Sequence, residues 1–268
     1  MDIDTPLSPQ EPGNDGGEIV HEPHLVVGDR GAGWITEAWD RFKAAPGQWI
    51  AFCVVGFVVL CVVNFIPGVN IINAFLQPVW IAGVMAACHA QHKGEAIRIS
   101  HLFAGFGPKT GRLVVSGLII MISGVVIVAA VFGPLLLAML ENGDPNAYLA
   151  TLDPYSLIMR VLIVVALTLP LYAALWFAPA LIMLGNTGAI DALRLSFVGC
   201  MKNVWPFLIY GLCWLVVGVV LIVVFGLAAA ALQSLPFLML LLLAPLGVVM
   251  GAVAYVSVYL SFRDIYID

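Results

Sequence analysis

Residues 113–140, LVVSGLIIMISGVVIVAAVFGPLLLAML, run for 28 positions without an ionisable side chain. At about 1.5 Å of rise per residue, about 20 apolar residues cross a hydrocarbon core about 30 Å thick. A stretch of this length reads as a membrane helix rather than as the core helix of a soluble domain.

Five further segments read the same way: Trp49–Ile66, Ile71–His89, Ser156–Leu184, Val204–Leu232 and Leu238–Phe262. Composition agrees, with 62% of residues apolar and 10% charged, where a soluble domain carries about 25% charged. The expected fold is all-α and integral to the membrane: six transmembrane helices forming three hairpins, each preceded by a short in-plane cytoplasmic helix. Pro134, Pro170, Pro179 and Pro245 fall inside spans and should kink them, because proline removes a backbone donor and crowds the preceding turn.

The in-plane helices rest on periodicity. Trp34, Ile35, Ala38, Trp39 and Phe42 share one helical face, while Glu37, Asp40, Arg41 and Lys43 fall elsewhere, the pattern of a helix lying at the bilayer surface. Pro46 and Gly47 end it, and Trp49 stands where aromatic rings favour the headgroup level. A similar arrangement follows at Ser100–Arg112, with Ser100 as the expected N-cap. A third occupies Thr187–Trp205, with Thr187 as the cap, Asp191 in the first turn, and Ile190, Leu193, Phe197 and Met201 on one face. Taking Phe42, Phe106 and Phe197 as markers, the membrane domain at 32–268 divides into units of about 32–92, 98–186 and 187–268.

Ahead of them, residues 1–31 hold seven acids (Asp2, Asp4, Asp15, Asp29, Glu11, Glu18, Glu22), one base (Arg30) and several prolines. Too little apolar surface is present to offset ordering entropy, so this segment reads as a disordered acidic cytoplasmic tail. It lacks the basic and apolar regions of a cleavable signal peptide. The net charge of −5 gives no basic footprint for nucleic acid.

Charge also orients the chain. In a six-span arrangement Arg30, Arg41, Lys43, Lys93, Arg98, Lys109, Arg112, Arg194, Lys202 and Arg263 all fall on one side, and Arg160 alone does not. The opposite loops carry Glu141, Asp144 and Asp153 but no base. The positive-inside rule then places both termini in the cytoplasm.

Several stretches carry a resemblance: Gly33-Trp34-Ile35 with Trp39, Phe42, Pro46 and Trp49; Ser100-His101-Leu102-Phe103-Ala104-Gly105-Phe106; Phe177-Ala178-Pro179-Ala180-Leu181; Ala192-Leu193-Arg194-Leu195-Ser196-Phe197; and Ser261-Phe262-Arg263-Asp264-Ile265. Over about residues 25–268 the chain resembles a family of six-span bacterial inner-membrane proteins of unknown function, known by a locus tag. The stretch ending at Phe197 is also similar to repeats in other multi-pass bacterial families. The resemblance implies a fold and the bacterial inner membrane, and assigns no catalytic or binding residue.

Candidate sites come from the residues themselves. Cys88, His89, His92 and His101 fall near the end of the second span and in the following loop, with Cys88 and His92 one turn apart and able to share a metal. No fourth ligand or supporting shell is evident, so neither a metal nor another cofactor is expected. Cys53, Cys61, Cys88, Cys200 and Cys213 all read as small core residues. Arg160 should snorkel towards Asp153 or Glu141. Asn64, Asn70, Asn73 and Gln77 cluster around the first hairpin, where amides cap broken backbone or bond between helices. Gly247 and Gly251, with Ala244 and Ala254, form a small-residue stripe for helix packing within the chain or between copies, and Gly117/Gly124 and Gly211/Gly218 repeat the theme.

The chain lacks HExxH, Gly-x-Ser-x-Gly and P-loop motifs and has no paired acids on a span. The expected function is a non-enzymatic accessory or scaffold membrane protein in contact with lipid and with a protein partner or a second copy. The alternatives are a transporter or channel for an apolar or lipid-like solute, and a metal-dependent membrane enzyme. Whether a ligand-sized cavity lies between the hairpins is the deciding observation, and a dry packed bundle would favour the scaffold reading.

Overall fold

A computed structural model describes residues 20, 22–66, 69–142, 153–231 and 236–268. Most of the acidic tail and the loop holding Asp144 lie outside these residues. Among the described residues the structure is helical, with no strand. Its elements are α1 (Arg30–Ala44), α2 (Pro46–Phe65), α3 (Val69–His92), a 3₁₀ helix (Ile99–Phe103), α4 (Thr110–Asn142), α5 (Pro154–Trp176), α6 (Ala178–Met183), α7 (Ala189–Lys202), α8 (Val204–Ala231) and α9 (Pro236–Tyr266). A short helix followed by two long segments occurs three times in this order.

Local chemistry sets several boundaries. Pro46 and Pro154 start α2 and α5, where a missing N–H is no loss. Asp153 caps α5 by accepting the Ser156 N–H. The expected caps for the other short helices shift: Arg98, not Ser100, precedes the 3₁₀ helix, and Gly188, not Thr187, precedes α7.

Five segments are long and apolar enough to cross a membrane: Pro46–Phe65, Thr110–Leu135, Pro154–Met183, Val204–Ala228 and Ala244–Tyr266. The expected second span corresponds to α3, a 24-residue helix that is not among these five.

The core sits at one end of the bundle. Trp34, Trp49, Phe177, Tyr259, Phe262 and Tyr266 are its largest fully buried side chains. The bonds of Arg30, Arg41, Lys109, Arg112, Lys202 and Arg263 fall at this same end, which we call the basic end. Beyond it the helices expose Phe57, Phe65, Leu137, Leu162, Ile222 and Leu227. Such a surface is costly in water and neutral in lipid, whose tails are as apolar as leucine.

The stretches quoted above meet one another in this core. Trp34 Nε1–H donates to Asp264 Oδ2 at 2.8 Å, tying α1 to the end of α9. Arg30 joins the same carboxylate at 2.6 Å and Glu37 at 2.5 Å, and these bonds, with Asp264 the larger contributor, hold its guanidinium above the ordinary arginine range. Trp34, Ala38 and Phe42 are buried, whereas Trp39 remains 41% exposed. Helix α1 thus docks Trp34, Ala38 and Phe42 on protein, contacting α8 and α9, instead of resting that whole face on the bilayer.

The fourth span is also not continuous. It breaks at Phe177, two residues before Pro179, and resumes as α6. Ser196 of α7 spans the gap: its Oγ accepts the Phe177 N–H at 2.9 Å and donates to the Ala173 carbonyl at 2.7 Å. One hydroxyl thereby stands in for the direct i to i−4 bond. Since Ser196 is fully buried, Ser196→Ala leaves the buried Phe177 N–H unpaired and leaves the Ala173 carbonyl to the weak Cys200 Sγ–H donor at 3.5 Å. It should cost about 1–3 kcal/mol in reversible unfolding in mixed micelles, and an unchanged unfolding midpoint would show that the break needs no bridge.

Other expectations shift because tertiary contacts compete with local pattern. On α7 the buried face is Ala192, Leu193, Ser196, Gly199 and Cys200, while Ile190, Phe197 and Met201 point outward. Small residues let this helix approach its neighbours closely, and the large ones are left for lipid. Residues 22–29 do not behave as a free tail. Val26 N–H donates to Asn203 Oδ1, Asn203 Nδ2 donates to the His24 carbonyl, Lys202 donates to the Pro23 carbonyl, and His24 N–H donates to the Ile265 carbonyl. These bonds supply the order that the segment's sparse apolar content cannot. Arg160 donates to the Val131 carbonyl at 2.5 Å and not to Asp153 or Glu141. The nearby Pro134 disturbs the α4 bonding ladder, and the guanidinium meets backbone there.

Candidate functional site

A cleft of about 780 Å³ opens between α2, α3 and α9. Its floor, towards the basic end, is closed by Trp49, Phe52 and Leu102, all buried. Beneath the floor Trp49 Nε1–H donates to Gln91 Oε1, and Gln91 Nε2 donates to the Arg41 carbonyl at 2.7 Å. The walls are Gly56, Phe57, Leu60, Ile81 and Val84 on one side and Ala244, Gly247, Val248 and Gly251 on the other, with Tyr255 beside them. At the far end, where α2 finishes and α3 begins, stand Asn64, Asn73, Gln77 and Trp80.

These polar residues are linked. Trp80 Nε1–H donates to Asn73 Oδ1 at 2.9 Å, Asn73 Nδ2 donates to Asn64 Oδ1 at 3.5 Å, and Asn64 Nδ2 donates to the Leu60 carbonyl at 2.7 Å. Asn73, Gln77 and Trp80 follow a spacing of four and three, which places them on one helical face. That spacing was visible in the sequence, but nothing there showed that the face borders a cavity. Trp80, Tyr255 and Gly56 carry no sequence signal as lining residues for the same reason. The side chain of Asn70 lies outside the described residues.

The Gly247/Gly251 stripe has a different setting from the one expected. A methyl group added at either glycine meets nothing within 4 Å, and both line the cleft, so this step makes no close helix contact among the described residues. Gly124, Gly211 and Gly218 are equally open. The close approaches occur at Gly117, one of the glycines expected to pack, and at Gly83 and Gly105, which no motif marked. A Cβ at Gly105 would fall on the Val79 carbonyl, one at Gly117 on the Phe75 carbonyl, and one at Gly83 would lie 2.5 Å from the Leu102 carbonyl oxygen. Large aliphatic and aromatic residues flank all of these glycines in the sequence, and only the approach of a second backbone distinguishes them.

The Cys/His group is dispersed. Cys88 is buried. His89 Nδ1 shares a hydrogen bond with the Tyr259 hydroxyl at 3.1 Å, and His92 Nδ1 accepts from Arg41 Nη2 at 3.2 Å, since a guanidinium only donates. His101 accepts the Arg98 N–H through Nδ1, and partial burial, then Arg98, holds its pKa below the ordinary histidine value. Among the described residues no group of three or more His, Cys, Asp and Glu side chains is arranged to hold a metal ion.

Comparison with known proteins agrees with the membrane architecture. Residues 95–266 match the model of a domain of unknown function, DUF7847. A protein of Burkholderia thailandensis named "Probable inner membrane protein" is 31% identical over 248 residues, which cover 86% of this chain and 88% of that one. No solved structure matches the chain. With five segments able to cross a bilayer, this is a multi-pass inner-membrane protein, and the chain belongs to the DUF7847 family.

Proposed function

We propose that the protein is a non-enzymatic membrane component that holds an apolar, lipid-like molecule in the cleft between α2, α3 and α9. The observation that carries this reading is the cleft itself. Its volume of about 780 Å³ lies within the range of about 300–1,000 Å³ typical of small-molecule sites. None of its described lining residues is charged, and it lies among helices whose outer surfaces are apolar. A molecule dissolved in the bilayer reaches such a site without desolvating an ion.

The topology that goes with this reading has six spans in three hairpins, the short helices in the plane of the cytoplasmic surface, and both termini in the cytoplasm. Two contacts support α3 as a span. Trp49 near the start of α2 meets Gln91 near the end of α3, and Asn64 near the end of α2 meets Asn73 near the start of α3, so the two helices run antiparallel over their length. At about 1.5 Å per residue, the 24 residues of α3 suffice to cross. Membrane lipid is then the first partner. A second copy or another protein would contact the exposed apolar faces of α8.

Tryptophan quenching tests the reading, since Trp49 and Trp80 line the cleft. A dibrominated octadecanol added to the purified protein in detergent is expected to quench fluorescence saturably above the linear collisional background. Gly251→Leu, which fills the cleft without meeting a neighbour at Cβ, should weaken the saturable phase about tenfold, or about 1.4 kcal/mol. Absence of a saturable phase in the parent protein, or its full retention in Gly251→Leu, would overturn the proposal.

A further inference from the structure

We infer that the molecule held in the cleft carries an uncharged hydrogen-bonding group, a hydroxyl or carbonyl, at one end of its apolar chain, seated against Asn73 and Gln77. This rests on the cleft reading above and adds the chemistry and direction of the ligand.

The polarity of the lining is lopsided. From the floor at Trp49, Phe52 and Leu102 the walls stay apolar or small along Gly56, Ala244 and Gly251, and the amides gather at the opposite end. An apolar chain matches the first part. The second part offers both donors and acceptors and no net charge, because amide side chains do not ionise. A carboxylate or phosphate placed there would lose its hydration without gaining a cation, as none of the described lining residues is Lys, Arg or His. Apart from Arg160, whose guanidinium is bonded to the Val131 carbonyl, the basic residues that would pair with an anion are held at the other end of the bundle, below the floor.

Asn73 supports the assignment. Its Oδ1 accepts from Trp80 Nε1 at 2.9 Å, which fixes the orientation of the amide and turns its Nδ2 towards Asn64 at a long 3.5 Å. A bond of that length is weak, so a ligand oxygen competes for the donor at little cost. Gln77, one turn further along α3, presents an exposed amide to the same space. Together they offer two amide groups to one ligand oxygen.

The test compares two probes of equal chain length, the dibrominated octadecanol and dibrominated stearate at alkaline pH, where the acid is ionised. The alcohol is expected to bind at least about tenfold more tightly. Gln77→Leu should weaken the alcohol about fivefold, the scale of one lost hydrogen bond, and leave stearate unchanged. Asn73→Leu should do the same, and the Gln77 variant serves as the cleaner one because that side chain is exposed. Equal or tighter binding of stearate to the parent protein, or an unchanged alcohol affinity in Gln77→Leu, overturns the assignment of the polar end while leaving the cleft occupied. Loss of saturable quenching for both probes in the parent protein, or its retention in Gly251→Leu, overturns the cleft reading itself.

Discussion

Trp34→Ala should lower stability by about 3–5 kcal/mol, the range for truncating a large buried aromatic residue. Trp34 is fully buried, with its ring 5.4 Å from Phe207 and 5.9 Å from Tyr210 between centroids. Its Nε1–H is also one of two donors that keep Asp264 paired. Removing the indole therefore opens a cavity and weakens the tie between α1 and α9. Trp34→Phe, which keeps the packing and loses the donor, should cost about 1–2 kcal/mol. Trp39→Ala is the control: that ring is 41% exposed, and its loss should stay near about 1 kcal/mol. The measurement is reversible unfolding in mixed micelles. Equal losses at the two tryptophans would mean that α1 presents its other face to the bundle.

Gly105→Ala should cost about 1–3 kcal/mol, whereas Gly247→Ala should be neutral or stabilising by up to about 1 kcal/mol. At Gly105 the new methyl group lands on the Val79 carbonyl, which is backbone and cannot rotate away, so the 3₁₀ segment and α3 must separate. At Gly247 nothing lies within 4 Å, and alanine has the better helix propensity. The same unfolding assay separates the two. A Gly247→Ala loss that grows on dilution would place the stripe between two copies of the chain. A loss independent of concentration would mean that another helix of the same chain closes on it.

The pairing of these variants shows where sequence reading reaches its end. GxxxG is a pattern of spacing, and Gly247-x-x-x-Gly251 has it, yet the face it makes borders the cleft. Gly83 and Gly105 belong to no such repeat, Gly117 belongs to the looser Gly117/Gly124 pair, and all three lie against backbone carbonyls. Trp34 and Trp39 present the same difficulty. Both fall on the apolar side of α1, and which of them enters the core depends on where α8 and α9 stand. The amides at Asn64, Asn73 and Gln77 were legible as a polar cluster near a hairpin, and the link between Asn64 and Asn73 is an interhelical bond as that reading anticipated. Their place at the mouth of a cleft was not legible, because the opposite wall comes from α9, more than 160 residues further along.

The sequence by itself determined that the chain lives in a membrane, that it is helical, and where its long apolar segments fall. Those properties are local: the length of an uncharged run is compared with the thickness of the bilayer, and no knowledge of neighbours is needed. The tertiary structure alone decided that residues 22–29 are tied down by Lys202, Asn203 and Ile265, that Ser196 bridges the break at Phe177, and that a cleft remains between the first hairpin and the last helix. Each of these joins groups far apart in the chain. In lipid the hydrophobic effect does not choose among apolar faces, so the choice falls to close packing and to buried hydrogen bonds, which exist only once the helices have met.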